Sequence, residues 1–200
     1  RAALPASHAT PVAARVGGTE VIVHPAGAIL RAGDGRILAS DLFALTESSP
    51  VVDGDAIYAH ENGMLKAFGL PAKLAEPLAV AKRWETAAPR GQYQIASPVA
   101  HDGLIYTASI KGDWQVTDAK TGEVAYSKRL PFAGRVYVSV QLAGGRLFVT
   151  DQTGKTYVLK PGRAYAEDGV NELDYHPTSS AFAGGRRFVR THRHLICVGD

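Results

Sequence analysis

The sequence predicts an all-β protein: a β-propeller, or a propeller segment, of about 4–5 four-stranded antiparallel blades. Three observations predict it. A strand-and-turn unit recurs five times in order along the 200 residues. Its first-strand anchors fall at Pro11, Pro50, Pro98, Val140 and Ala181, with spacings of 39, 48, 42 and 41 residues. A period near 40 with four strands per period is the signature of propeller blades. The 21 glycines cluster between short β-branched and aromatic runs, where tight turns need positive φ.

The clearest unit is residues 95–130. Pro98 lacks a donor and suits a strand start, so SPVA at 97–100 begins the unit. His101-Asp102-Gly103 turns the chain into LIYTA at 104–108. Ser109 to Gly112 turn again. In 113–117, Trp114 and Val116 share one face, and Gln115 and Thr117 the other. Asp118-Ala119-Lys120-Thr121-Gly122 is a tight polar turn. Residues 123–129 form a fourth strand with Val124 and Tyr126 on one face.

The remaining units follow this template within a single domain, 1–200, with copies at 10–43, 49–88, 96–130, 137–172 and 178–200. Residues 1–9 are a lead-in whose Pro5 argues against a regular strand. The first copy turns at Gly17-Gly18, Gly27 and Asp34-Gly35, and RILASDLF supplies its fourth strand. The second turns at Asp53-Gly54. It carries a Pro-bounded insertion between its third and fourth strands, where Pro77 interrupts any helix, and then KRWET as the outer strand. Residues 89–94 form a connecting loop at a blade face. The fourth copy turns at Gly144-Gly145 and Gly154. Its outer strand, in RAYAEDGVNEL, is polar and expected to turn at Asp168-Gly169. Residues 173–179 connect to the last copy, which turns at Gly184-Gly185 and stops after its third strand. That stop, and a first residue that is Arg1, lead us to expect a processed chain or part of something longer.

Composition excludes several classes. Charged residues are 20% and apolar residues 46%, ordinary for a globular protein. A formal net charge of +3 is too diffuse to argue for nucleic acid. No apolar run approaches the roughly 18 residues of a spanning helix. The single cysteine, Cys197, permits no internal disulfide and, inside LICV, is expected to be a buried small apolar residue. No nucleophile elbow, phosphate loop or zinc-finger spacing occurs. Gly33-Asp34-Gly35 lies between strands and is a turn. Ser48-Ser49 and Ser179-Ser180 have no adjacent histidine base.

The most basic stretch is RRFVRTHRH in the last copy. Arg186, Arg187, Arg190, His192, Arg193 and His194 are the candidate partner-binding residues, a docking patch for an acidic partner or anionic sugar. One aromatic, Phe188, is too few for a nucleic-acid surface. If His192 and His194 lie on a strand, their i, i+2 spacing puts both imidazoles on one face, but no third metal ligand is near. His24, His60 and His101 fall at or near expected turns, as do Asp53, Asp55, Asp113, Asp118, Asp151 and Asp168.

The pattern Ser97-Pro98-Val99, Gly103-Leu104-Ile105-Tyr106, Gly112, then Asp118-Ala119-Lys120-Thr121-Gly122 and Tyr126, resembles the pyrroloquinoline-quinone (PQQ)-like propeller repeat, over essentially all of 9–199. In that family the last aromatic is typically a Trp that docks between blades. Tyr126 takes its place here, and Trp84 is the equivalent in the second copy. The resemblance covers quinoprotein alcohol dehydrogenases and outer-membrane assembly scaffolds alike. It implies a bacterial, extracytoplasmic location, periplasmic or secreted, and usually seven or eight blades. Three arrangements stay open: a fragment of a larger propeller, a five-bladed ring closed by residues 1–9, or an arc completed by another chain. The dehydrogenases use a vicinal Cys pair, a Ca²⁺ held by carboxylate and amide oxygens, and an Asp base. A lone Cys cannot supply the pair. The expectation is a non-catalytic scaffold that holds a protein or carbohydrate partner with no cofactor. The alternative is a module of a quinone- or metal-dependent oxidoreductase, using PQQ and Ca²⁺, whose active residues lie partly outside this chain.

Overall fold

The structure, a computed structural model, describes residues 4–89, 94–174 and 178–199. The middle of the loop expected at 89–94 (90–93), residues 175–177 of the last connection, residues 1–3 and residue 200 lie outside the described residues.

Among the described residues nineteen strands build five antiparallel meanders, each in sequence order. Blade 1 holds β1 (Val12–Val16), β2 (Thr19–His24), β3 (Ala28–Arg31) and β4 (Ile37–Ala39). Blade 2 holds β5 (Val51–Asp53), β6 (Ala56–Glu61), β7 (Met64–Gly69) and β8 (Ala81–Ala87). Blade 3 holds β9 (Val99–His101), β10 (Leu104–Ala108), β11 (Asp113–Asp118) and β12 (Val124–Arg129). Blade 4 holds β13 (Gln141–Ala143), β14 (Arg146–Thr150), β15 (Lys155–Leu159) and β16 (Glu167–Glu172). Blade 5 has three strands, β17 (Ala181–Ala183), β18 (Arg186–Arg190) and β19 (Leu195–Val198). The innermost strands β1, β5 and β9 run beside one another, as in a propeller.

The turns behave as the sequence dictates. The pairs Gly17-Gly18, Asp102-Gly103, Gly144-Gly145 and Gly184-Gly185 all take positive φ, the geometry of a two-residue hairpin loop. Asp118 closes the β11–β12 turn by accepting the Lys120 and Thr121 N–H groups, each at 2.9 Å.

Blades are joined by three repeated devices. The serine before each inner strand accepts an N–H from the preceding blade: Thr10 N to Ser49 Oγ at 2.9 Å, Ser49 N to Ser97 Oγ at 3.0 Å, and Ser97 N to Ser139 Oγ at 3.2 Å. An outer-strand aromatic crosses to the next blade. Trp84 donates Nε1–H to the Ala119 carbonyl at 3.0 Å and lies flat against Gly122, where a Cβ would sit 2.8 Å from the indole. Tyr126 meets Tyr165 edge-on at 6.5 Å. Finally, each complete blade has one extra residue in its fourth strand, a β-bulge at Leu38, Arg83, Ala125 and Asp168. The core sits between sheets. The largest cluster joins Leu104, Tyr106, Trp114 and Val116 of blade 3 to Leu147, Val149, Tyr157 and Leu159 of blade 4.

Several expectations are corrected. Asp168-Gly169 does not turn: Asp168 is the bulge residue inside β16, held there by ion pairs to Arg146 and Lys160. Asp113 likewise starts β11 and pairs with Arg129. The bulge at Ala125 breaks the alternation of β12, so Val124 is exposed and does not share the role of Tyr126. The fourth strand of blade 1 is only three residues, because Asp41 takes a positive φ and redirects the chain. His60 is no turn residue. It lies in β6 and is 1% exposed. Cys197 is exposed: among the described residues β19 pairs with β18 alone. Residues 4–9 form no strand, and the Ser7 hydroxyl and His8 N–H bond to the backbone of Leu45 and Thr46.

Candidate partner-binding site

The six candidate residues come from one stretch but do not form one patch. Neighbours on a strand point to opposite faces, and β18 separates them. Arg187 turns toward blade 4 with Val189. Arg186, Phe188 and Arg190 turn away from it. His192, Arg193 and His194 lie beyond the strand, in the β18–β19 turn. The Thr191 Oγ1 accepts the Arg193 and His194 N–H groups at 3.3 and 2.9 Å and caps that turn. The two imidazoles therefore do not share a strand face, and the chelate geometry expected for them is not formed. His194 instead lies 3.7 Å from an Asp174 carboxylate oxygen.

Arg187 is the residue that the structure singles out. It is 8% exposed. Its Nε donates to Ser180 Oγ at 2.9 Å, and Nη2 lies 3.5 Å from the hydroxyls of Thr150 and Thr156, a distance at which hydrogen bonds are weak. Its guanidinium stands 5.1 Å over the Phe148 ring. No carboxylate reaches it among the described residues, and burial lowers its pKa from the usual arginine value. The cation is thus held by hydroxyls and a ring but not neutralised.

Beside it opens a cleft of about 550 Å³ between blades 4 and 5, lined by Arg146, Phe148, Asn171, Phe182, Arg186 and Arg187. That volume is in the range of small-ligand and peptide side-chain pockets. Phe148 and Phe182 face one another at 5.1 Å. Arg146 is neutralised by Asp168, whereas Arg186, exposed at the cleft's edge, makes no ion pair among the described residues. The site is a cationic, half-aromatic slot suited to a carboxylate on an apolar stem. Sequence reading chose the right segment but could not rank Arg187 above its neighbours. The signal available was the period of two, which opposes Arg187 to Arg186.

Calcium needs six to eight converging oxygens, and among the described residues no three His, Cys, Asp or Glu side chains converge. Three of the aspartates are engaged in local contacts. Asp118 pairs with Arg163, which, with the turn N–H groups, holds its pKa down to about 2. Asp55 pairs with Arg83. Asp151 accepts N–H groups from Gly134, Thr153 and Lys155.

No family model matches the chain, and no curated protein does. Solved structures do. BamB from Moraxella catarrhalis superposes with a TM-score of 0.65 at 17% identity, over 90% of this chain and 54% of that one. The computationally designed Ika8 protein superposes with a TM-score of 0.68 at 11% identity, over 94% of this chain and 57% of that one. A europium-containing methanol dehydrogenase gives 0.49 at 14% identity, over 62% and 24%. The chain thus spans little more than half the length of the first two. At these identities the likeness shows the fold alone, a β-propeller segment, as the repeat pattern predicts. Among the described residues no helix is long and apolar enough to cross a membrane.

Proposed function

We propose that this propeller segment is a non-catalytic binding scaffold, and that it holds a protein partner through carboxylates seated in the cleft between blades 4 and 5. One observation carries the reading: Arg187 is a buried cation with hydroxyl and aromatic neighbours but no carboxylate. A buried charge without a counter-charge is strongly unfavourable, and a ligand carboxylate entering the adjoining cleft relieves it. The likeness to the PQQ-like repeat supports a scaffold equally, and supplies the extracytoplasmic bacterial setting that subcellular fractionation would check. The oxidoreductase alternative finds neither a Cys pair nor a converging oxygen set among these residues.

The test is fluorescence anisotropy of a labelled hexaglutamate peptide, with an anionic oligosaccharide as competitor. Binding weakens with salt. It falls at least about tenfold in Arg187→Leu, the loss of one charge-assisted contact, and is unchanged in Arg15→Ala on blade 1. Equal binding by the Arg187→Leu protein, or preference for the sugar, overturns the reading. Dye reduction on addition of PQQ and Ca²⁺ would overturn its non-catalytic part.

A further inference from the structure

Blades 2 and 3, and blades 3 and 4, are joined on the outer rim by a ring. The residue after the outer-strand bulge, Trp84 or Tyr126, crosses to the connection between the third and fourth strands of the next blade. Trp84 reaches Ala119 and Gly122 there, and Tyr126 reaches Tyr165. In blade 1 the residue at that place is Ala39, and a methyl group cannot cross. The connection that would receive a ring from blade 1 is the Pro-bounded insertion of blade 2, residues 70–80. Its counterparts are only 119–123 in blade 3 and 160–166 in blade 4. The insertion is long enough to come back to blade 1, so the junction is made from the other side.

It touches blade 1 in three places. Leu74 lies on the first hairpin, where a Cβ on Gly17 would be 3.0 Å from the Leu74 nitrogen. The Leu78 N–H donates at 2.8 Å to the carbonyl of Leu38, the bulge residue of β4. The Leu78 side chain is buried in one cluster with Leu38, Phe43 and Leu45. Between these contacts, the Glu76 carboxylate pairs with Arg31 and, at 2.8 Å, with Arg36, both on the third hairpin of blade 1.

The attachment is otherwise sparse. Residues 70–80 form no strand, and among the described residues the N–H groups of 71–77 make no backbone bond. A trough of about 510 Å³ lies along β4 beside the segment, lined by Ile37, Leu38, Ala39, Leu42, Pro77 and Leu78. Few backbone bonds and incomplete packing mark a segment that opens before the rest of a fold. A carboxylate shared by two guanidiniums is the strongest polar contact that holds it.

We propose that residues 70–80 are a releasable clasp across the seam of blades 1 and 2, that Glu76 is its latch, and that its release opens this seam on the outer rim. The device is independent of the cleft between blades 4 and 5. The test is limited proteolysis. Lys73 is exposed and gives trypsin a site within the segment. Cleavage after it requires Leu74 to leave the Gly17 hairpin, so the rate follows the open population when reclosing is fast. Rates are read by mass spectrometry, relative to a free peptide of residues 68–80. Glu76→Gln speeds cleavage roughly fivefold, the upper range for a partly exposed pair, and Glu123→Gln in blade 3 does not. Salt at about 0.5 M brings the parent toward the Glu76→Gln rate and leaves that variant unchanged. The Leu78 amide exchanges through the same opening and gains the same factor. Sub-denaturing urea changes both rates little, because a local opening exposes little surface. Rates that climb with urea as steeply as amide exchange in β6 and β7 would show that the segment leaves only when the fold does, and overturn the clasp. Equal cleavage of the parent and Glu76→Gln would overturn the latch.

Discussion

Blades 3 and 4 meet through a dry, apolar interface, and blades 4 and 5 meet through a polar one, although the two are built on the same register. The positions that blade 3 turns toward blade 4 are Leu104, Tyr106, Ala108, Trp114 and Val116, all buried. Blade 4 turns Arg146, Phe148, Thr150, Thr156 and Val158 toward blade 5 at the corresponding positions. The opposing faces differ in the same way: Leu147 of blade 4 and Arg187 of blade 5 occupy matching places. A propeller frame set by turns and bulges does not care which chemistry fills the seam. One seam is closed by apolar contact, and the other leaves a cleft beside Arg187.

Exchanging chemistry between the seams gives the largest effect. Leu147→Arg would bury a guanidinium among Trp114, Tyr157 and Leu159, without the hydroxyls that surround Arg187. Loss of a buried leucine costs about 2–5 kcal/mol, and an unpaired buried charge adds more. The variant should lose its cooperative urea transition. A midpoint within experimental error of the parent would show that the dry seam is not the stabilising one.

The seam between blades 2 and 3 is sharpened by pH. His60 faces it from β6, and neither ring nitrogen makes a well-formed hydrogen bond, although the Pro89 carbonyl is near enough to favour the charged form slightly. Burial pushes its pKa from 6.5 down to about 4. The unfolded chain then binds a proton that the folded chain refuses. Stability is fully present above pH 6.5 and falls as pH drops from 6.5 toward 4, by about 3 kcal/mol at most. Asp118, with its folded pKa near 2 and an unfolded value near 3.8, loses its contribution only at lower pH. Urea midpoints between pH 7 and 4.5 should fall with decreasing pH, and His60→Gln should flatten the slope. An unchanged slope would assign the titration to other groups.

What was legible in the sequence was local. Gly-Gly and Asp-Gly pairs specify hairpins by backbone chemistry alone, so the first turn of each blade was readable, and Trp84 and Tyr126 were recognisable as crossing aromatics. What was not legible depended on partners far along the chain. Asp168-Gly169 has the composition of a turn, and its pairing with β15 and with Arg146, 22 residues earlier, makes it a bulge. Cys197 lies in an apolar run as Ile105 does, but burial depends on neighbouring strands and not on the run. The serine links were overlooked, although a serine two or fewer residues before each inner strand at Ser49, Ser97 and Ser139 recurs with the blade period. In the binding region, adjacency in sequence suggested a single basic patch, whereas alternation along β18 divided it.

Those serine links give a smaller effect that is common to the first three seams, whereas Gln141 makes the corresponding link to the Ser180 backbone between blades 4 and 5. Ser97→Ala leaves the Ser49 N–H without its acceptor while keeping the backbone donor of residue 97 to Ser139. One partly buried hydrogen bond contributes about 1 kcal/mol. The thermal midpoint should fall by a few degrees, as expected for a change of that size. Faster amide exchange should be confined to the seam of blades 2 and 3. Exchange that speeds up equally in blades 4 and 5 would mean that the links act around the whole arc.

The smallest effect on stability belongs to Arg187→Leu, the reverse of the first exchange, and it separates the two seams most cleanly. The substitution removes the bond to Ser180 Oγ and the stacking on Phe148. It also removes a charge whose desolvation no carboxylate offsets. Replacing buried ionic groups with apolar ones of similar size is often neutral or stabilising, and Phe148, Phe182 and Val198 give the new leucine apolar neighbours along the cleft. The Thr150 and Thr156 hydroxyls stay bonded to each other at 2.9 Å, and the Ser180 backbone keeps its two bonds to Gln141. The urea midpoint should therefore stay unchanged or rise, while carboxylate binding is lost. Destabilisation by several kcal/mol would instead make Arg187 a structural member of the seam, and the contrast between a seam that holds the arc and a seam that holds a partner would collapse.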